Sequence, residues 1–264
     1  MIPDPAERPL ADLVSLMGRA AVVTGAARGL GRAIARRLAE AGASVLLADI
    51  DVRAAEAARD EIGRQTGGTL SATGLDVTDS ASIIAAADSA LDRFGRLDVW
   101  VNNAGIYPSK PVLEMSDADW DRVVGVNLTG SFTGAREAAR RMVAAGHGGV
   151  IVNLASVAGL RGRGLAIPHY VATKHGIVGL TKQLALEFAG AGIRVLAVAP
   201  TTIVTPGVQA GLGRPPDLEA RLAGPLGRAG QPDDVARVVL FCASDLSMFM
   251  TGSTLVVDGG DLAR

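Results

Sequence analysis

The feature that most constrains the fold is a glycine-rich turn between an apolar run and a helical stretch. Ala21-Val22-Val23 leads into Thr24-Gly25-Ala26-Ala27-Arg28-Gly29-Leu30-Gly31, and Ala33 to Leu38 continues with helical periodicity. This order predicts a strand, a loop and a helix. The three glycines would let the backbone approach a pyrophosphate closely, and the helix N-terminus would offer it free N–H groups. The spacing is not G-x-G-x-x-G, so the loop alone also fits a tight turn without a ligand.

Short apolar runs rich in β-branched residues then alternate with longer helical stretches. Alternation of this kind builds a parallel sheet with helices on both faces. The predicted strands are Ala20 to Thr24, Ser44 to Asp49, Leu70 to Leu75, Val99 to Asn102, Val150 to Leu154, Arg194 to Ala199 and Thr254 to Asp258. We therefore expect an α/β fold with a doubly wound, Rossmann-type sheet of seven parallel strands.

The length of 264 residues is what one α/β core reaches before a chain divides into several domains. Residues 1–18 contain no continuous apolar run, so we interpret them as an N-terminal surface arm and not as a signal peptide. Residues 19–264 form the predicted domain. Near 206–230, glycine and proline are dense around a short helical piece at Asp217 to Leu222, which is typical of a loop that covers a substrate.

Charge and cysteine content narrow the classes of partner. Lys plus Arg number 26 and Asp plus Glu 27, so a formal net charge of -1 gives no field that attracts nucleic acid or an anionic membrane. No run of about 18 apolar residues is free of charge, Gly and Pro, so no membrane span is expected. The single Cys242 cannot form an internal disulfide, and no Cys/His cluster indicates a metal. We expect a cytoplasmic protein that binds a small molecule.

A carboxylate ends the second predicted strand, about 20 residues beyond the glycine loop. Asp49, in Leu46-Leu47-Ala48-Asp49, is placed to accept hydrogen bonds from both hydroxyls of an adenosine ribose. A 2′-phosphate would lie against this carboxylate, and like charges so close repel. We therefore predict NAD as the cofactor. Arg28 keeps NADP open because its guanidinium suits such a phosphate, and Asp51 is interpreted as a solvated loop residue.

Tyr170 and Lys174 open a helical stretch, Tyr170-Val171-Ala172-Thr173-Lys174, and their spacing places both side chains on one helix face. Free tyrosine has a pKa of about 10, and a fixed cation nearby favours the phenolate, as a general base requires. Taken alone, a Tyr/Lys pair at this spacing is also common in structural helices. Motifs elsewhere in the chain distinguish a catalytic pair from a structural one.

Three further polar motifs occur in order. Asn102-Asn103-Ala104-Gly105 follows the fourth predicted strand, Asn127 lies in Gly125-Val126-Asn127, and Ser156 ends Asn153-Leu154-Ala155-Ser156. With the glycine loop and the Tyr/Lys pair, the pattern resembles the short-chain dehydrogenase/reductase family from Ala20 to Gly260. The resemblance implies an oxidoreductase that moves a hydride between NAD(H) and a secondary alcohol or ketone, for example a sugar or polyol.

The resemblance also implies catalytic roles. Tyr170 is the expected acid/base, and Lys174 is expected to hold the nicotinamide ribose and to lower the tyrosine pKa. Ser156 is expected to polarise the substrate oxygen. Asn127 is expected to keep a water molecule in a proton relay.

For the cofactor, the resemblance places Asp76 at the adenine amino group and Asn103 near the adenosine-side ribose. Ile203 and Thr205 match the segment that contacts the nicotinamide carboxamide. The implied cofactor set also includes Gly25, Arg28, Gly29, Leu30, Gly31, Asp49, Ile50, Val77, Ala104, Gly105, Tyr170, Lys174 and Pro200.

Two departures from the family pattern lie near the expected substrate. Ala199-Pro200-Thr201-Thr202 has Thr201 where the family has glycine, which predicts a loop of different shape. The segment from Ser156 to Tyr170 is one residue longer and carries Arg161 and Arg163. These arginines would suit a hydroxylated or anionic substrate, or they are simply solvated.

The resemblance places the substrate beside Tyr107 and residues 206–230, and it implies a homotetramer or a dimer. One alternative is an NADPH-dependent 3-oxoacyl-type reductase, which shares the active-site set but normally lacks an acidic residue at the position of Asp49. A second alternative is a catalytically inert cofactor-binding protein. The complete set of catalytic residues argues against it.

Overall fold

The structure is a computed structural model, and it describes residues 7–162, 164, 166–212 and 217–263. Seven parallel strands form one sheet in the order β3-β2-β1-β4-β5-β6-β7. The strands are β1 Ala20–Thr24, β2 Ser44–Asp49, β3 Leu70–Gly74, β4 Val99–Asn102, β5 Gly149–Leu154, β6 Ile193–Pro200 and β7 Thr254–Val257. The predicted fold class is confirmed, and each strand boundary lies within one residue of its prediction.

Helices connect consecutive strands and cover both faces of the sheet. They are α1 Leu10–Val14, α2 Gly29–Glu40, α3 Val52–Thr66, α4 Ser80–Phe94, α5 Asp117–Val124, α6 Gly130–Ala145, α7 Pro168–Phe188, α8 Pro206–Leu212, α9 Leu218–Arg221 and α10 Pro232–Ala243. A π-helical turn, Gly125–Thr129, joins α5 to α6. The strand order reverses between β1 and β4, and the carboxyl ends of strands at such a switch point form a ligand-binding crevice.

Alternate residues of the strands contribute to separate hydrophobic clusters on the two faces of the sheet, and two of these clusters are large. Val23 and Val45 pack on one face with Ile34 of α2 and Val239 of α10. On the other face, Trp100 of β4 belongs to a core that also contains residues of α4, α6 and α7. Because side chains of a strand alternate between faces, continuous apolar runs such as β1 are buried on both sides.

The described part of the N-terminal arm is anchored to the domain. Helix α1 buries no residue, but Leu16 is fully buried and its N–H donates to the Ala41 carbonyl. Arg8 and Arg19 both pair with Asp245, at 2.6 and 2.5 Å. Leu16 therefore packs into the domain, whereas residues 7–12 and Met17 are exposed.

The proline- and glycine-rich segment near 206–230 contains two helices. Helix α9 coincides with the predicted helical piece, whereas α8 was not predicted. Pro206 occupies the first position of α8, where a missing N–H costs nothing, so the proline starts this helix.

Candidate active site

The glycine loop between β1 and α2 approaches neighbouring backbone too closely for a side chain. Gly25 has a φ of +64° and Gly29 one of +58°. A Cβ on Gly31 would lie 2.1 Å from the Gly25 carbonyl oxygen. Arg28 precedes α2, and its side chain carries no acceptor for the first N–H groups of that helix. The loop thus has the tight turn and open helix N-terminus that a pyrophosphate requires.

The loop is braced by the segment after β4. The Asn103 amide donates to the carbonyls of Thr24 and Gly25 at 2.7 and 3.0 Å. The Thr24 hydroxyl accepts the N–H groups of Asn103 and Ala104 at 2.9 and 3.0 Å. The amide of Asn103, which we expected near the adenosine-side ribose, therefore holds the glycine loop. Thr24 was missed from the sequence, although its place at the end of β1 was a usable signal.

Asp49 is fixed in the crevice by two backbone donors. Its Oδ2 accepts the Ala27 N–H at 2.9 Å, and its Oδ1 accepts the Asp51 N–H at 3.0 Å. Asp51 is the N-cap of α3 and accepts the Ala54 N–H at 3.1 Å, so it is a capping residue and not merely a loop residue. Ile50, between them, is largely exposed.

The segment after β3 continues the same edge of the sheet. Asp76 Oδ1 accepts both the N–H and the hydroxyl of Thr78, at 2.8 and 2.7 Å. Val77 packs against Gly130, where a Cβ would lie 2.9 Å from the Val77 carbonyl oxygen. Leu30, on the first turn of α2, is partly buried against the core. Asp76 and Val77 follow β3 directly and therefore lie at the carboxyl edge of the sheet.

Helix α7 brings Tyr170 and Lys174 together. Lys174 Nζ lies 5.5 Å from the centroid of the Tyr170 ring. The edge of Tyr107 meets the same ring, with centroids 6.1 Å apart. A Cβ on Gly207 of α8 would lie 2.8 Å from the Tyr107 hydroxyl, so Tyr107 connects Tyr170 to the segment that we expected to cover a substrate.

Lys174 is buried almost completely, and its Nζ donates to the Leu154 carbonyl at 2.5 Å. Burial lowers the pKa of Lys174 to about 8, because desolvation disfavours the ammonium. The cation is thus held under the phenol by one backbone acceptor. It is also poised to lose its proton at moderately alkaline pH.

Ser156 and Asn127 lie on segments that pack against α7. The Ser156 hydroxyl accepts the Ala158 N–H at 3.1 Å and lies 3.4 Å from the Pro200 carbonyl oxygen, a long hydrogen bond. Asn127, in the π-helical turn, exchanges two hydrogen bonds with the Ile106 backbone, at 2.8 and 2.9 Å. Gly105 lies against it, since a Cβ there would be 3.3 Å from Asn127 Oδ1. The asparagine side chain therefore fixes the strand-end segment that carries Tyr107.

The segment after β6 returns to the glycine loop. Ile203 is buried, and the Thr205 methyl group would lie 3.5 Å from a Cβ on Gly29. The Thr201 N–H donates to Val257 at 3.2 Å, so this residue continues the pairing with β7. Its hydroxyl donates to Asp261 at 2.9 Å. Nothing local in the sequence identified Asp261, which lies 60 residues further along the chain.

His169, which precedes Tyr170, is a buried residue at the start of α7. The ring is fully buried, and its Nδ1 accepts the Tyr170 backbone N–H at 2.8 Å. Burial lowers the pKa of His169, which favours the neutral ring that this hydrogen bond requires. Arg163, in the preceding loop, lies outside the described residues.

Loss of the buried ammonium at residue 174 should change how stability depends on pH. The pKa of Lys174 in the folded chain, about 8, is lower than its unfolded value of about 10.4. Folding therefore releases a proton between these values, and wild type gains up to about 3 kcal/mol as pH rises through this window. Thermal unfolding of cofactor-free wild type and Lys174→Met from pH 7 to 10.5 measures the gain. The Tm of wild type should rise relative to that of Lys174→Met as pH increases.

Lys182→Met, which removes an exposed lysine from the same helix, is the matched control, and its difference in Tm from wild type should not change with pH. A pH-independent difference in Tm between wild type and Lys174→Met would contradict the assigned burial.

Among the described residues, no helix is both long and apolar enough to cross a bilayer. In the same part of the chain, no group of three His, Cys, Asp or Glu side chains is arranged to hold a metal ion.

The chain is similar in sequence to known proteins over nearly its whole length. Residues 25–261 match a family model described as enoyl-(acyl carrier protein) reductase. D-threitol dehydrogenase from Mycolicibacterium smegmatis is 40% identical, over 93% of this chain and 93% of that protein. Cis-4-hydroxycyclohexanecarboxylate dehydrogenase from Sinomonas cyclohexanicum is 44% identical, over 92% of this chain and 96% of that protein.

Solved structures agree with the sequence relatives. A short-chain type dehydrogenase/reductase from Mycobacterium marinum has a TM-score of 0.91 at 36% identity and covers 97% of this chain and 100% of that one. A structure from Agrobacterium tumefaciens with bound NADP has a TM-score of 0.84 at 40% identity, with coverages of 96% and 100%.

Fold and site together define an α/β enzyme of the dinucleotide-binding class. The chain belongs to the short-chain dehydrogenase/reductase family. It is an oxidoreductase that acts on the CH–OH group of a secondary alcohol or on the matching ketone.

Proposed function

We propose that the chain oxidises a secondary alcohol with NAD, or reduces the ketone with NADH, and that Tyr170 is the general acid/base. The observation that carries this proposal is the position of Lys174 Nζ, 5.5 Å from the centre of the Tyr170 ring, at the edge of the sheet where the glycine loop lies. An ammonium so placed favours the phenolate.

In the oxidation direction, a bound nicotinamide supplies the acceptor for the hydride that leaves the carbinol carbon with its bonding electrons. The Tyr170 phenolate takes the hydroxyl proton, so the carbon–oxygen double bond forms as the carbon–hydrogen bond breaks. Ser156 donates to the substrate oxygen, which requires it to give up only the long contact with the Pro200 carbonyl. Asn127 holds the proton-relay side of the pocket by fixing the Ile106 backbone.

The cofactor residues support NAD. Asp49 is held by the N–H groups of Ala27 and Asp51, so its carboxylate cannot turn away from a 2′-phosphate without losing both hydrogen bonds. Repulsion between the two anions would disfavour NADP. Arg28, exposed on the loop, is the feature that favours the second cofactor, and the Agrobacterium tumefaciens structure with NADP makes the choice worth testing.

Replacement of Asp49 by alanine should let NADP compete. We expect the ratio of kcat/KM for NADP to that for NAD to rise at least about tenfold, because the variant removes the anion nearest the 2′ position. Initial rates at the NAD(P)H absorbance measure the ratio.

Asp51→Ala is the matched control, since it removes a neighbouring capping carboxylate and should leave the ratio as in wild type. A wild-type preference for NADP would overturn the cofactor assignment.

The substrate class is a cyclic or polyhydroxylated secondary alcohol. Relatives named for D-threitol and for cis-4-hydroxycyclohexanecarboxylate support this range. Tyr107 and the segment of α8 border Tyr170 and would cover such a substrate. A panel of polyols, sugars, cyclic alcohols, steroids and acyl ketones, followed at the NADH absorbance, tests the proposal. Absence of turnover with every compound of the panel would contradict the proposed function.

We further propose a cytoplasmic homo-oligomer, with a tetramer as the expected state. Phe249 is fully exposed beside the edge strand β7, where Val256 is also exposed, and an apolar edge of this kind is suited to a subunit contact. Light scattering on the purified protein measures the oligomeric state.

The one cysteine, Cys242, is buried, and burial raises its pKa to about 12, so it is suited to packing and not to disulfide chemistry.

A further inference from the structure

A carboxylate near the C-terminus joins two segments that border the candidate active site. Asp261 begins a 3-10 turn, Asp261–Ala263, and is buried. Its Oδ2 accepts a hydrogen bond from the Thr201 hydroxyl at 2.9 Å, and its Oδ1 lies 3.2 Å from Nη2 of Arg161. Asp261 thus connects the loop after Ser156 with the loop after Pro200.

The Ser156 hydroxyl contacts the first residues of both loops. Thr201 directly follows Pro200, whose carbonyl oxygen lies 3.4 Å from Ser156 Oγ. Arg161 follows the short turn Val157–Gly159, which Ser156 caps, and its N–H donates to Val157 at 3.2 Å. The ion pair of Arg161 and Asp261 therefore joins two loops whose first residues contact Ser156, the residue that would meet the substrate oxygen.

The two members of the ion pair differ in exposure. The Arg161 side chain is 37% exposed and the Asp261 side chain only 12%, so the guanidinium is the accessible member of the pair. An unpaired arginine here would attract a substrate carboxylate. With Asp261 already 3.2 Å from the guanidinium, a second carboxylate would approach both the cation and a like charge.

We propose that Asp261 is a specificity-determining residue that restricts the enzyme to uncharged alcohols. It cancels the charge of Arg161, and it repels substrates that carry a carboxylate. Thr201, at a position where the family has glycine, donates a hydrogen bond to Asp261 through a neutral hydroxyl, so this contact leaves the charge of the pair unchanged. The inference rests on the proposed function, because it concerns the same pocket.

The test compares two substrates that differ by one carboxylate, cyclohexanol and cis-4-hydroxycyclohexanecarboxylate. The readout is the ratio of kcat/KM for the acid to kcat/KM for the neutral alcohol, with NAD, in the full-length protein. Wild type should prefer the neutral alcohol. In Asp261→Asn, which keeps an acceptor for Thr201 but removes the charge, the ratio should rise at least about tenfold. The rise should shrink with added salt, as a charge effect does.

Arg161→Gln provides an independent variant should Asp261→Asn fail to fold. It keeps the Asp261 carboxylate and removes the cation, so the ratio should fall below that of wild type. Thr201→Val keeps both charges and removes only the hydroxyl, and Asp88→Asn removes a distant ion pair with Arg141. In both of these variants the ratio should stay within about twofold of wild type, a change of under half a kcal/mol.

Three results would overturn the inference: a wild-type preference for the acid, an unchanged ratio in Asp261→Asn, or an unchanged or raised ratio in Arg161→Gln. An equal rise in Thr201→Val and Asp261→Asn would also overturn it, since loosening of the loops and not charge would then be the cause. If wild type oxidises a different alcohol from the panel, that alcohol and its carboxylated analogue replace the pair. If it oxidises no alcohol, the proposed function fails and the inference falls with it.

Discussion

Tyr170→Phe lowers kcat for alcohol oxidation by about a hundredfold or more, while NAD still binds. The variant keeps the ring that lies 5.5 Å from Lys174 Nζ and that meets the edge of Tyr107, so packing is preserved. Only the phenolic oxygen is lost, and with it the group that takes the hydroxyl proton. General acid/base groups contribute about 10²- to 10⁴-fold to rates, which sets the expected loss. Steady-state rates and titration calorimetry with NAD measure the two quantities.

The other tyrosine of the chain provides the matched control. Tyr107→Phe also removes one hydroxyl at the same pocket, but this hydroxyl lies against Gly207 of α8 and not beside Lys174. It should lower kcat far less than Tyr170→Phe. Equal losses in the two variants, or full turnover in Tyr170→Phe, would remove Tyr170 from the proposed chemistry.

Gly31→Ala should abolish tight dinucleotide binding, because the new methyl group has no space. Its Cβ would lie 2.1 Å from the Gly25 carbonyl oxygen and 2.6 Å from the Asn103 amide nitrogen. Both neighbours belong to the braced loop, so the loop itself must move. Overpacking of this kind costs about 1–3 kcal/mol, and the moved loop no longer fits a pyrophosphate. We expect the Kd for NAD to rise at least about tenfold, with a lower Tm.

Gly63→Ala is the control for this variant. A Cβ there meets only the Leu70 side chain at 3.8 Å, within helix α3. The alanine should stabilise the helix by up to about 1 kcal/mol and leave NAD binding unchanged. If Gly31→Ala binds NAD as wild type does, the proposed placement of the dinucleotide on this loop is wrong.

Most of the fold could be predicted from the sequence, because its signals are local. Each strand is a short apolar run bounded by turn residues, and burial on both faces leaves little freedom in its boundaries. The residues of the candidate site follow strand ends, as Asp49 and Ser156 do, and parallel strands bring such ends to one edge. The four-residue spacing of Tyr170 and Lys174 sufficed to place them on one helix face.

Features that depend on distant contacts could not be predicted. Asp261 meets Thr201 across 60 residues of chain, and no local pattern connects them. Leu16 is buried against the end of α2, although its neighbours in sequence look like a surface arm. The Asn103 amide braces the glycine loop, and this depends on how closely the β4 and β1 ends approach.

The most direct test of the central claim is the pH dependence of single-turnover hydride transfer from an accepted alcohol carrying deuterium on its carbinol carbon. Wild type should transfer the deuterium to NAD with a primary isotope effect. Below the pKa of Lys174, about 8, the rate should rise with pH through an ionisation that Tyr170→Phe lacks. Deuterium that does not appear in the reduced nicotinamide, or the same pH profile in Tyr170→Phe, would contradict the account.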